Sequence, residues 1–254
     1  MKPKVEVIEP KLFAGAVADE LVACINEAIS ERGSCSISLA GGSTPGAIYR
    51  SLSKPPRVSE VDWGKVDLFL GDERWVPLDD SLSNYRMIQE ALLANIQEPK
   101  PRLHGVDTSL ADPNAGAEAY AKTISKQLNL SGTEMPSIDI VLLGCGEDGH
   151  TASVFPGSEL SKLSLEQGAK RFGICTAVPH PQSGQRITLT PAALFNGRKI
   201  FFIAKGEEKA EIVRRVIEGS EETYVLPSRF FTCSADRVTW LLDSGAAQAL
   251  SSRN

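Results

Sequence analysis

Cys35-Ser36-Ile37-Ser38-Leu39-Ala40-Gly41-Gly42-Ser43-Thr44-Pro45-Gly46 is the stretch on which the fold turns. Cys35–Leu39 is a short apolar run that reads as a strand, and it empties into two glycines, two hydroxyl residues and a proline. A helix is expected directly after it, over about Gly46–Leu52. Upstream, Phe13, Val17, Leu21, Cys24 and Ala28 recur at helical spacing, so Lys11–Arg32 reads as an amphipathic helix closed by Gly33. Downstream the same cycle repeats, with a strand at Val66–Leu70, helices at Asn84–Asn95 and Ala115–Leu128, and a buried strand at Ile138–Leu143. Further strands are expected at Phe172–Val178, Gln185–Thr190, Lys199–Ala204 and Val238–Leu242. A helix is expected over Glu207–Glu218, and a short one closes the chain. Alternating β and α with near-continuous apolar strands implies a mostly parallel sheet covered on both faces. Lys54–Val61 and Asp107–Pro113 are polar, proline-bearing loops too short to be domain linkers. Residues 1–254 therefore read as one α/β domain with a small subdomain inserted in its second half.

The composition narrows the class of function. With 42% hydrophobic and 23% charged residues, the 254-residue chain is ordinary for a globular protein and long enough to bury a sizeable core. A net charge of −5 speaks against a nucleic-acid partner, whose binding draws on basic surface. It leaves room for one phosphate, which a few local cations can hold. Cys24, Cys35, Cys145, Cys175 and Cys233 are odd in number and contain no C-x-x-C pair, as expected of reduced thiols in the cytosol rather than a disulfide or zinc framework. The opening residues lack an apolar signal core, no run approaches a membrane span, and the last residues are not a peroxisomal address. A cytoplasmic protein is the expectation.

In sheets of this kind ligands bind beyond the carboxyl ends of strands. Three motifs fall there. The Ala40–Gly46 loop lets the backbone approach a ligand, and the helix behind it offers free N–H groups to an anion; taken alone, it is equally a tight strand-to-helix turn. Gly71-Asp72-Glu73-Arg74-Trp75-Val76 puts two carboxylates and a guanidinium at the end of an apolar strand, where a surface salt bridge would also fit. Gly144-Cys145-Gly146-Glu147-Asp148-Gly149-His150 runs from a strand through a glycine-rich loop to an expected helix start bearing His150. Of three histidines, His104 lies in Leu103–Gly105 and His180 between two prolines, whereas His150 has Asp148 and glycines beside it, as a general base would. Cys145 lacks an evident base and reads as a packed residue. Arg186 opens an alternating strand, and Lys205 and Lys209 flank a strand-to-helix turn; each could meet phosphate oxygens or be plain surface charge.

The motifs A-G-G-S-T-P, G-D-E-R-W-V, G-x-G-x-D-G-H-x-x-S and R-I-T-L-T, in this order, resemble the 6-phosphogluconolactonase family. They are similar, more distantly, to glucosamine-6-phosphate deaminase. The resemblance runs from about Phe13 to Leu242 and implies a doubly wound, three-layer α/β/α fold. It further implies a metal-free and cofactor-free hydrolase of the oxidative pentose phosphate pathway, acting as a monomer on 6-phospho-D-glucono-1,5-lactone. By that resemblance His150 is the general base, with Asp148 and Arg74 beside it and Asp72 at an acidic position of the site. Asp148 would either orient His150 or bind a substrate hydroxyl. Gly41, Gly42, Ser43, Thr44, Arg186 and Lys209 become the phosphate and substrate binders. Two departures separate the chain from the deaminase pattern: Phe155 stands where that pattern has a glutamate, and Arg74 where it has a tyrosine. The other readings are that deaminase and a non-catalytic sugar-phosphate sensor. No nucleic-acid or membrane partner is implied.

Overall fold

A computed structural model describes residues 3–180, 182, 184–232 and 236–251. The chain opens with β1 (Lys4–Ile8), α1 (Phe13–Arg32), β2 (Cys35–Leu39), α2 (Ser43–Leu52), β3 (Val66–Leu70) and β4 (Asp72–Arg74). It continues through α3 (Asn84–Ala91), β5 (Arg102–His104), α4 (Pro113–Gln127), β6 (Ile140–Gly144), α5 (Glu159–Lys162) and α6 (Leu165–Phe172). β7 (Cys175–Pro179), β8 (Gln185–Leu189), α7 (Pro191–Phe195), β9 (Lys199–Ala204), α8 (Ala210–Glu218) and β10 (Val238–Asp243) complete it.

Seven strands form one sheet in the order β1-β10-β9-β6-β2-β3-β5, and every pairing in it is parallel. β2 is buried at all five positions. Alternate side chains point to opposite faces, so both faces of the sheet are covered. α1 shows how a covering helix is specified: Phe13, Val17, Leu21, Ile25 and Ala28 form its buried stripe. Gly33, with φ 80°, stops it in the left-handed conformation that costs glycine nothing and donates its N–H to Ile29 O at 2.9 Å. Across the sheet, Trp240 of β10 stacks on Phe202 of β9 with ring centroids 4.3 Å apart. Full burial of side chains this size stabilises the fold by about 1.5–3 kcal/mol each.

The second sheet is small, three-stranded and antiparallel, in the order β4-β8-β7. The chain leaves the large sheet at Gly71, whose N–H donates to Leu39 O and whose carbonyl accepts from Leu189 N, both at 2.9 Å. A Cβ at Gly71 would come within 3.3 Å of the Leu39 carbonyl, so the residue stitches the two sheets together where little room exists. The expected insertion in the second half is thus β7 and β8, but the first half contributes its third strand.

Several boundaries differ from the sequence reading, for physical reasons. α2 begins at Ser43, directly after Gly42, rather than near Gly46. α4 begins at Pro113 because the Asp112 carboxylate caps Asn114 and Ala115 N–H groups. Phe172 ends α6, whose start carries a Ser164–Gln167 capping box, so it does not open a strand. The expected C-terminal helix is a run of turns over residues 244–249. There the Asp243 carboxylate accepts from Ala246 N and Gly206 N, which ties the turn to the loop after β9, and a Cβ at Gly245 would come within 3.1 Å of Glu207 N. Cys24, Cys35, Cys145 and Cys175 are free and buried, as expected of packed thiols, while Cys233 lies outside the described residues. Among the described residues, no helix is long and apolar enough to cross a membrane.

Candidate active site

β2 and β6 lie side by side at the centre of the large sheet, with Ile37 paired to Ile140 and Ser38 to Val141. From this pair the strand order runs outward through β3 on one side and β9 on the other. It is therefore the topological switch point, where the loops leaving neighbouring strands part and open a crevice. Both loops are glycine-rich. A cleft of about 270 Å³ lies over them, lined by Ala40, Gly41 and Gly42 after β2, by Gly144, Cys145, Gly146 and His150 after β6, and by Gly71, Asp72 and Arg74. Asn84 and Lys209 also line it.

The loop after β6 is not a helix start; the next helix, α5, begins only at Glu159. Instead it folds back on itself. Gly146 N–H donates to His150 O at 2.8 Å, Gly149 N–H donates to Gly146 O at 3.0 Å, and Thr151 bridges to Val154. Gly149 has φ 82°, and a Cβ on Gly146 would lie 2.2 Å from His150 Nδ1, so a side chain at that position would displace the ring. The imidazole Nδ1 lies 2.6 Å from Asp148 Oδ1, which also accepts the His150 backbone N–H at 3.1 Å. Burial acts to raise the Asp148 carboxyl, but the hydrogen bonds from the His150 ring and backbone outweigh it, and the group sits below its ordinary range. Asp148 lines an adjoining chamber of about 430 Å³ that shares Gly146, His150 and Lys209 with the main cleft.

β4 separates the three charges of Asp72-Glu73-Arg74 by simple alternation. Asp72 and Arg74 face the cleft. Glu73 turns the other way and is fully buried, where it accepts the N–H groups of Asn84 and Tyr85 at the start of α3 together with Ser83 Oγ and Arg74 N. Burial raises its carboxyl in spite of these four donors. Glu73 thus anchors α3, which carries Asn84 to the cleft. Asn84 Nδ2 donates to the Asp72 carbonyl at 2.9 Å and to its carboxylate at 3.3 Å, and Ser153 Oγ donates to the other carboxylate oxygen at 2.6 Å. Asp72 is therefore held in one orientation. In the register of the small sheet Arg74 stands opposite Arg186. Burial first, and then the like charge of Arg74, lower the Arg186 guanidinium, against Asp72 and Glu73.

Of the sequence candidates, Gly41, Gly42, Asp72, Arg74, His150 and Lys209 come together around one cleft, with Asp148 in the adjoining chamber. Arg186 stands beside Arg74. Ser43 and Thr44 are not part of the lining; they form the first turn of α2, which no side chain caps. The sequence reading does not single out Asn84, names Ser153 only as the last residue of the G-x-G-x-D-G-H-x-x-S motif with no role, and passes over His180 in favour of His150. Asn84 and Ser153 give no chemical signal of their own, and the prolines flanking His180 conceal that its hairpin ends at the site. Among the described residues, no group of three or more His, Cys, Asp or Glu side chains could hold a metal ion.

Residues 9–240 match the family of glucosamine-6-phosphate isomerases/6-phosphogluconolactonase. The chain is 32% identical to a 6-phosphogluconolactonase of a Nostoc strain over 99% of this chain and all of that one. It is 30% identical to one from a Synechocystis strain over 98% and 99% of the two chains. Among solved structures it is similar to 6-phosphogluconolactonase from Trypanosoma cruzi, with TM-score 0.82 and 32% identity over 99% of this chain and 98% of that one. A monomeric glucosamine-6-phosphate deaminase, 20% identical with TM-score 0.77 over 97% of this chain and 99% of that one, shares the fold. The switch-point cleft, its glycine loops and these likenesses agree: the chain belongs to the glucosamine-6-phosphate isomerase/6-phosphogluconolactonase family.

Proposed function

We propose that this cleft hydrolyses the six-membered lactone of 6-phosphogluconate, with His150 as the general base. The observation that carries this reading is the His150–Asp148 pair at 2.6 Å, set beside a cleft that also holds Arg74 and Lys209. Asp148 engages Nδ1, which leaves the Nε2 lone pair to take a proton from water as its oxygen attacks the lactone carbonyl. Arg74, whose Nε is buried without a hydrogen-bond partner, offsets the charge that develops on the carbonyl oxygen. The imidazolium then returns the proton to the departing ring oxygen, and the ring opens to the acid. Arg186, Lys209 and the Gly41–Thr44 turn hold the phosphate, the turn through the uncapped N–H groups of α2. Asp72, already oriented by Ser153 and Asn84, accepts a substrate hydroxyl. One chain supplies every group named, as a cytosolic monomer acting on a small molecule would, and the scheme uses no cofactor.

Phe155 supports hydrolysis over deamination. It is buried and packs its ring on His150, with centroids 5.2 Å apart, so no carboxylate stands at that position to assist opening of a sugar ring. A lactone needs no such partner, because hydrolysis itself opens it. Acid release from freshly made 6-phosphogluconolactone should exceed the spontaneous rate by several orders of magnitude. Glucosamine 6-phosphate should yield no ammonia. Ammonia release without lactone hydrolysis would reverse the assignment.

A further inference from the structure

One face of the small sheet carries a residue that the scheme above leaves unused. Arg74 pairs with Arg186, and Arg186 pairs with Val178. Directly opposed residues share a face, as do residues two apart on one strand. The ladder continues beyond β7, where His180 N–H donates to Gly184 O at 3.1 Å. His180 therefore falls on the face that carries Arg74 and Arg186, diagonal to Arg186. Its ring meets Phe155 edge-on, with centroids 5.0 Å apart, while Phe155 also packs on His150. With His150 and Lys209 it lines the chamber adjoining the main cleft.

Gln182 N–H donates to His180 Nδ1 at 3.2 Å, so in its neutral form the ring carries its proton on Nε2. Burial first, and then the positive charges of Arg186 and Arg74, push its pKa below the ordinary imidazole range, with Asp148 acting against them. Glu147 and Lys209 also line the chamber it faces.

We propose that His180 is a specificity-determining residue whose Nε2–H donates to a phosphate oxygen of the substrate beside Arg186. The proposal rests on the lactonase reading. In that substrate the phosphate is carried on the exocyclic carbon attached to the ring carbon across the ring oxygen from the carbonyl, so a carbonyl at His150 sets the phosphate arm off to one side of it, where Arg186 and His180 share a face of the small sheet. An uncharged donor adds a hydrogen bond there without adding another cation to a crowded group.

The test is steady-state kinetics of wild type, His180→Ala and His180→Gln on 6-phosphogluconolactone and on unphosphorylated gluconolactone. His180→Ala should raise KM for the phosphorylated lactone by about 10- to 100-fold, with kcat nearly unchanged, and leave gluconolactone kinetics as they were. His180→Gln, whose amide can donate, should restore most of the affinity. Equal losses on both substrates, or a loss carried by kcat, would overturn the proposal. Calorimetric titration with inorganic phosphate separates it from the lactonase reading. His180→Ala must weaken that binding whether or not the lactone is turned over, and unchanged phosphate affinity would overturn it as well.

Discussion

Two histidine–aspartate pairs of nearly equal length occupy different parts of this molecule. His104 Nε2 lies 2.7 Å from Asp67 and His150 Nδ1 lies 2.6 Å from Asp148. The first pair is closed. Both side chains are 13% exposed, Phe69 stacks on the imidazole at 4.8 Å, and Asp67 also receives a two-pronged contact from Arg102 at 2.8 and 2.5 Å. The second is open, with side chains 36% and 52% exposed, and it stands at the switch point beside a cleft. Separation alone does not distinguish a structural pair from a chemical one. Position is what separates them: β3 and β5 use their pair to join an edge strand to the sheet, whereas the β6 loop sets its pair against the cleft and the adjoining chamber, where the proposed base is needed.

The arginines repeat the contrast. Arg102 finds its carboxylate within the protein, whereas Arg186 is half-buried opposite another guanidinium, and no ion pair of Arg186 is seen among the described residues. Such a group suits an external anion. Arg186→Ala should lower kcat/KM for the phosphorylated lactone by on the order of 30- to several-thousand-fold. For gluconolactone the same change should lower it little, because the partner is missing from that substrate. Equal proportional losses would move Arg186 out of the phosphate clamp and into the fold or the chemical step.

A smaller effect is expected at the closed pair. Burial alone would raise the Asp67 carboxyl, but Arg102 and His104 outweigh it and hold it below its ordinary range. A carboxyl lowered in the folded state stabilises above the unfolded value, about 3.9, and that contribution disappears as pH falls through the folded value. Asp67→Asn should therefore cost about 1–3 kcal/mol near neutral pH, read as a lower Tm, with kcat unchanged. The gap between wild type and variant should narrow below about pH 4. A variant that melts like wild type but turns over poorly would place this pair in the chemistry.

The central strands were legible because burial on both faces leaves near-continuous apolar runs, as in Val66–Leu70 and Lys199–Ala204. β1 and β5 were not. β1 is an edge strand with polar residues interleaved, and β5 is three residues long. The glycine loops, Asp72, Arg74, Asp148, His150 and Lys209 were legible because chemistry-bearing types follow apolar strands. What sequence could not supply was which way each side chain turns. The alternation of β4 sends Glu73 to the start of α3 and leaves Asp72 and Arg74 in the cleft, although all three read alike as charges at a strand end. His150 reads as the start of a helix only if Gly149 and Ala152 are helical, yet both adopt positive φ, at 82° and 47°. His180 reaches the site through pairing of β7 with β8, a contact between strands that local pattern does not encode.

The claim that the open pair performs proton transfer is tested most directly on His150→Ala, by measuring turnover of 6-phosphogluconolactone and calorimetric affinity for 6-phosphogluconate in the same preparation. The account predicts a kcat lower by on the order of 100- to 10,000-fold, with product affinity within about threefold of wild type. A variant that keeps more than about a tenth of wild-type kcat, or one that loses affinity in step with turnover, would contradict it.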